Sequence, residues 1–355
     1  MNPSGNASRR KPSRATPPVN MAHSVHDRLL ALAKVRSRPF NELLQYYAME
    51  RFLYRLSVST AKRRFVLKGA LLLTAHGAAP FRPTRDIDLL GGFDNSEATV
   101  RELLGAVCRQ EVPDDGLRFD AESLRTERIR EDADYPGVRS QFAGNLGRAR
   151  VAMQVDVGFG DAVTPAPREI VYPALLDQPA PRLRAYPLET AVAEKLQTMV
   201  YLGELNSRMK DFFDVWFLCR HPALESERLR AAIAATFARR RTAVPATAEC
   251  FSTPFAAAKQ TQWGALLRKT PNVDIPQDLV TVIRDIRNVV EPLFRELQTG
   301  NAHAKLHLRG PDRDCPGAEA VASARVRRAR LPYGGPGRPE RRVRPERQAA
   351  ETGTF

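Results

Sequence analysis

A chain of 355 residues, 43% hydrophobic and 27% charged, is long enough for two modest cores and has an ordinary globular composition. No window holds eighteen uninterrupted apolar residues and the N-terminus lacks the apolar core of a signal peptide, which argues against a membrane span and for the cytoplasm. The net charge of +15 gathers at the ends: residues 1–20 carry Arg9, Arg10, Lys11 and Arg14 without an acid, and residues 300–355 carry twelve Lys or Arg against six Asp or Glu. The middle is only mildly basic, so charge alone does not specify a nucleic-acid surface.

Residues 1–22, rich in Pro, Ser and Arg, read as a disordered tail. Ser24 and Asp27 then resemble a helix start with Leu29, Leu30, Leu32 and Ala33 on its apolar face, and Asn41 a cap for a second helix. An apolar strand-like run follows at 65–67, after which Lys68-Gly69 opens a third helix reaching about Gly77. Residues 85–90 read as a strand, Asn95-Ser96 as a helix cap, and 117–123, 137–142 and 149–157 as further strands.

A Pro-rich connection spans 164–187, after which Leu188, Val192, Leu196 and Val200 form one helical stripe ended by Gly203. A helix from about Ser207 to Leu218 turns Met209, Phe212, Phe213, Trp216 and Phe217 inward, and others are expected at 225–241 and 275–298. From about residue 300 the Arg-, Pro- and Gly-rich sequence loses periodicity and reads as a second disordered tail. The expected layout is therefore tail 1–22, core 23–163, helical part 164–299 and tail 300–355. Cys108, Cys219, Cys250 and Cys315 form no CxxC pair, which excludes zinc-ribbon clusters, and disulfides are not expected.

The chemistry begins at Asp86 and Asp88. On an extended strand they share a face while Ile87 and Leu89 point into the core. Side-by-side carboxylates repel unless a divalent cation sits between them or the edge simply faces water. Asp156, beside Gln154 on another strand, would complete an oxygen-rich pocket suited to Mg²⁺. Gly69 either lets backbone N–H groups approach a phosphate or makes a plain turn; no Walker A spacing is present. Lys195, bordering a buried stripe, either snorkels to water or reaches a phosphate. Arg208, Asp211 and Asp214 share a helix face crowded with aromatic residues, where they form a surface ladder, orient Lys195 and Arg208, or hold substrate. No Ser-His-Asp or Cys nucleophile signature occurs, and the histidines are assigned no catalysis.

Taken in order, Lys68-Gly69-Ala70-Leu71, Thr84-Arg85-Asp86-Ile87-Asp88, Val155-Asp156-Val157, Glu194-Lys195-Leu196 and Lys210-Asp211-Phe212-Phe213-Asp214 resemble the AbiEii/AbiGii toxin family over roughly residues 24–245. These are nucleotidyltransferase-fold proteins of bacterial abortive-infection and toxin–antitoxin operons. The resemblance implies an α+β fold, a nucleotidyltransferase-type mixed β-sheet flanked by helices with a helical C-terminal part. It implies an Mg²⁺-dependent enzyme with an NTP as donor. Asp86, Asp88 and Asp156 match metal ligands and, with Lys195 and Asp211, the catalytic set. Lys68, Gly69, Ala70, Arg85, Lys195, Arg208, Lys210 and Asp214 match nucleotide-contacting positions. Ala70 departs from the small polar or glycine residue common there, which weakens one phosphate contact. An RNA acceptor, with the 3′ end of a tRNA as candidate, and a cognate antitoxin, a winged-helix regulator encoded nearby, are the implied partners. Two other readings stay open: transfer to a small molecule such as an antibiotic, and a non-catalytic nucleotide- or partner-binding module.

Overall fold

The computed structural model describes residues 20–76, 84–131, 135–270 and 275–307, the side chains of 130, 131, 135, 136 and 300–307 excepted. Of the two expected tails, residues 1–19 and 308–355 lie outside the described residues, as does the expected helix end at Gly77. In chain order the elements are α1 (Met21–Val35), α2 (Phe40–Val58), β1 (Phe65–Lys68), α3 (Ala70–Ala75), β2 (Asp86–Gly91), α4 (Glu97–Arg109), β3 (Leu117–Glu131), β4 (Tyr135–Leu146), β5 (Ala149–Phe159), β6 (Arg168–Val171) and β7 (Arg182–Ala185). The helical part follows as α5 (Leu188–Leu202), α6 (Met209–Cys219), α7 (Ser226–Arg239), α8 (Thr253–Arg268) and α9 (Leu279–His307).

The strands form one mixed sheet of seven among the described residues, in the order β3-β4-β5-β2-β1-β7-β6. The β2–β5 and β1–β7 pairs are parallel and the others antiparallel. Register puts Leu67, Leu89, Val157 and Val138 in one row across four strands, each at most 1% exposed. Burying such side chains contributes about 1.5–3 kcal/mol each, which pins the register against a one-residue slip. Helix α2 packs on β5 and β7 and α4 on β3 and β4.

Several boundaries moved for local reasons. Helix α1 starts earlier than expected because Asn20 caps it, its side chain accepting from the His23 N–H. Helix α2 starts at Phe40 behind Pro39, not at an Asn41 cap. Ser96 does cap α4, accepting from the Thr99 N–H at 3.2 Å. The Pro-rich connection contains β6 and β7, so the sheet draws strands from beyond residue 163. Helix α8 was not expected; Ser252 caps it and Phe255 stacks on Phe212 of α6 with ring centroids 5.4 Å apart. Helix α9 runs past residue 300 to His307. Helices α5 and α7 pack together, and α6 and α8 both pack on α9.

Candidate active site

One position along each strand from the apolar row lies a charged row: Lys68 of β1, Asp88 of β2, Asp156 of β5 and Arg139 of β4. Neighbouring residues on a strand alternate faces, so the core row and this charged row follow from one alternation. The order across the sheet is cation, anion, anion, cation. Each central carboxylate has a cation on its outer side, which offsets the repulsion between the two.

The charged face opens on a cavity of about 990 Å³. Lys68, Gly69, Ala70, Arg85, Asp86 and Asp88 line it from the sheet side, Lys195 and Glu194 from α5, Arg208, Lys210 and Asp211 from the start of α6, and Lys269 from beyond α8. Seven Lys or Arg side chains line it against four carboxylates, a balance that favours an anionic ligand.

Gly69 is the tightest point. Its φ of 70° and ψ of −154° fall in a region essentially reserved for glycine, and a Cβ there would lie 1.8 Å from Asp88 Oδ2. The bare backbone thus lies directly against the carboxylate. Helix α3 is only six residues long, so its dipole adds little, and close backbone approach is what the glycine provides.

Asp86 and Asp88 are both half-buried on the cavity face. Their all-oxygen donor set, with no His or Cys among the cavity-lining residues, fits a hard divalent cation completed by phosphate oxygens and water. Among the described residues no group of three or more His, Cys, Asp or Glu side chains is placed to hold a metal ion. Asp156 is engaged by other side chains. It is in register with Asp88, but Arg139 donates to it at 3.0 and 2.8 Å and the Gln154 amide at 3.2 Å, and it does not line the cavity. The Asp156 carboxylate, by hydrogen bond and charge, in turn holds the Arg139 pKa above its ordinary value.

Opposite the sheet, Lys195 is fixed by two carboxylates. Its ammonium donates to Asp211 at 2.9 Å and lies 2.7 Å from Asp214, while Arg208 donates to the other oxygen of Asp211 at 2.7 Å. Asp211 lies in the first turn of α6, and Asn206 orders the approach by accepting from the Arg208 N–H at 2.7 Å. Burial works to raise the Asp211 pKa, but Lys195 and then Arg208 outweigh it and hold the carboxyl below its usual value. Asp214 is 0% exposed and absent from the cavity lining, and its ion pair with Lys195 links it to the cavity wall.

The fold adds Arg139, Tyr186, Glu194, Arg240 and Asp161, to which the sequence pattern assigns no role. Tyr186, the residue after β7, lines the cavity, and burial followed by the nearby Glu194 charge keeps its hydroxyl pKa well above the usual phenol value. Arg240 sits in an Arg-Arg-Arg run at the end of α7 that reads as helix-terminal charge. Asp161 follows Gly160 in a turn, a position where Asp is commonplace.

Solved structures similar to this chain include two from Helicobacter pylori. JHP933 from Helicobacter pylori is 15% identical with a TM-score of 0.39, the match covering 73% of this chain and 94% of that one. A second H. pylori protein, assigned as a nucleotidyltransferase, is 17% identical with a TM-score of 0.41, covering 73% and 96%. No curated protein sequence matches the chain. Residues 51–292, well over half of the chain and spanning both walls of the cavity, match the family described as "Nucleotidyl transferase AbiEii toxin, Type IV TA system". The chain therefore belongs to the AbiEii family of toxin–antitoxin systems and is a nucleotidyltransferase.

Proposed function

We propose that this protein is a toxin that transfers a nucleotide from an NTP to an RNA acceptor in the presence of Mg²⁺, and that a cognate antitoxin neutralises it. The acceptor hydroxyl attacks the α-phosphorus and gives up its proton to water, the new O–P bond forms as the bond from the α-phosphorus to the bridging oxygen of the β-phosphate breaks, and pyrophosphate leaves. The single observation that carries this reading is the meeting of the Asp86–Asp88 pair, the bare Gly69 backbone and the fixed Lys195 ammonium around one cavity.

Asp86 and Asp88 would hold the metal ion, which when bound neutralises charge on the triphosphate oxygens. Gly69 and Ala70 admit the phosphate chain close to the backbone, with Lys68 beside it. Lys195, held by Asp211 and Asp214, is set to receive charge developing on the departing pyrophosphate without reorganising. Arg208, Lys210 and Arg85 at the cavity lining add positive charge for the phosphates or the acceptor strand. For Asp156 to serve as third metal ligand or as base, Arg139 must first release it.

The test is incubation with each labelled NTP, Mg²⁺ and total tRNA, wild type against Asp86→Ala/Asp88→Ala. Label should pass to RNA with the wild type and not with the variant. Absence of transfer with every nucleotide overturns the reading. A resistance phenotype on expression, without growth arrest, would move the acceptor to a small molecule.

A further inference from the structure

Behind the cavity wall, the turn after β5 carries a buried carboxylate that the proposed chemistry does not use. Asp161 is 4% exposed at its side chain and does not itself line the cavity, whereas Lys68 and Arg240, which it binds, both do. Lys68 Nζ donates to Oδ2 at 3.1 Å and an Arg240 terminal nitrogen donates to Oδ1 at 3.1 Å. Each oxygen holds one cation. The turn is gripped from outside as well: Arg240 donates to Gln197 at 2.9 Å and Thr198 at 3.4 Å on α5, and Arg239 donates to the Gly160 carbonyl at 2.6 Å. A continuous polar chain therefore runs from α5, the helix bearing Lys195, through Arg240 and Asp161 to Lys68, the residue before Gly69.

We propose that Asp161 is a positioning residue for polyphosphate binding: it fixes the Lys68 ammonium at the cavity wall beside Gly69, where the triphosphate of the nucleotide lies. Lysine carries its charge on a flexible four-carbon stem, and ordering that stem only when the ligand arrives costs affinity. Asp161 orders it beforehand, so the cost is met in folding rather than in binding. Two cations held on one carboxylate would repel each other without it. The ionised state of Asp161 fits the role: burial opposes it, but Lys68 and then Arg240 hold its pKa below the usual carboxylate value.

The inference rests on the NTP reading of the cavity, and the experiment separates the two. Full-length wild type, Asp161→Asn, Lys68→Met and the double variant are compared by NTP transfer to total tRNA, using the nucleotide the wild type prefers, and by calorimetric binding of inorganic tripolyphosphate. Asp161→Asn should raise KM and weaken tripolyphosphate binding by about tenfold, the size of one charged hydrogen bond, with kcat nearly unchanged. The double variant should bind little worse than Lys68→Met alone, because both changes remove the Lys68–Asp161 pair and Arg240 keeps its bonds to Gln197 and Thr198. Additive effects, or a tripolyphosphate affinity unchanged by Asp161→Asn, overturn the proposal whether or not transfer is seen. If Asp161→Asn does not fold, Asp161→Glu carries the test: it keeps the charge and moves it by a methylene, so KM should rise measurably, and an unchanged KM overturns the proposal. Failure of the wild type to transfer any nucleotide would instead sink the NTP reading.

Discussion

Asp88 and Asp156 are direct cross-strand partners on the same face of the sheet, yet only Asp88 lines the cavity. The difference lies one strand further out, where Arg139 stands opposite Asp156 and binds both of its oxygens. The sheet thus presents two carboxylates of equal register, one at the cavity and one bound by Arg139, and that difference divides their expected roles.

Asp88→Asn should lower nucleotide transfer by at least about hundredfold, since a metal ligand supports several kcal/mol of charge stabilisation. Asp156→Asn and Arg139→Gln should each cost about tenfold or less, the worth of a single charged contact, and the double variant no more than either alone. Steady-state transfer rates at saturating Mg²⁺ check this. If Asp156→Asn proved as damaging as Asp88→Asn, Arg139 must give way in the working enzyme and Asp156 would join the metal ligands.

Gly69→Ala should abolish most activity and reduce stability together. The new Cβ would lie 1.8 Å from Asp88 Oδ2, so the carboxylate must move, and the backbone conformation itself costs about 1–3 kcal/mol for a residue with a side chain. Thermal unfolding should show a lower midpoint and the transfer assay a loss comparable to Asp88→Asn. Near-wild-type transfer would mean that the Asp88 position observed here is not the one used.

The central strands were legible because their alternation is strong: Asp88 and Asp156 fall between residues that are fully buried, Asp86 precedes one, and no other register hides Ile87, Leu89, Val155 and Val157. The helices bearing Lys195 and Asp211 were legible from their apolar stripes, Gly203 closing α5 with a φ of 49°. Strands β6 and β7 were not, being four residues each inside a Pro-rich segment, too short for periodicity to register. Nor could the sequence say which partner each charge takes. Arg139 and Asp156 are 17 residues apart and Lys68 and Asp161 are 93 apart, and only the pairing of strands and the turn after β5 brings them together.

Removing the Lys195 charge should destabilise the protein more than a surface lysine would. Asp214 is 0% exposed, and Lys195→Met would leave it and Asp211 as adjacent buried carboxylates, Asp211 retaining Arg208. Breaking such a buried cluster from one side costs about 3–5 kcal/mol. Urea denaturation should show this loss, and adding Asp214→Asn to Lys195→Met should recover part of it by relieving the repulsion between the two carboxylates. No recovery would indicate that the two carboxylates are not held together by Lys195 alone.

The same cluster sets a pH dependence. The Asp211 pKa in the folded protein is lowered, burial being outweighed by Lys195 and Arg208, while in the unfolded chain it returns to about 3.9. A lowered folded value means that the unfolded chain binds the proton first as acid is added. The contribution is therefore full above about pH 4 and is lost as pH falls through the lowered folded value. Asp161, lowered in the same direction, adds to this slope. Unfolding free energy measured between pH 6 and pH 3 should fall on the acid side for the wild type and fall less steeply for Asp211→Asn. Parallel curves for the two proteins would show that Asp211 titrates alike folded and unfolded, and that its ion pairs with Lys195 and Arg208 stabilise nothing.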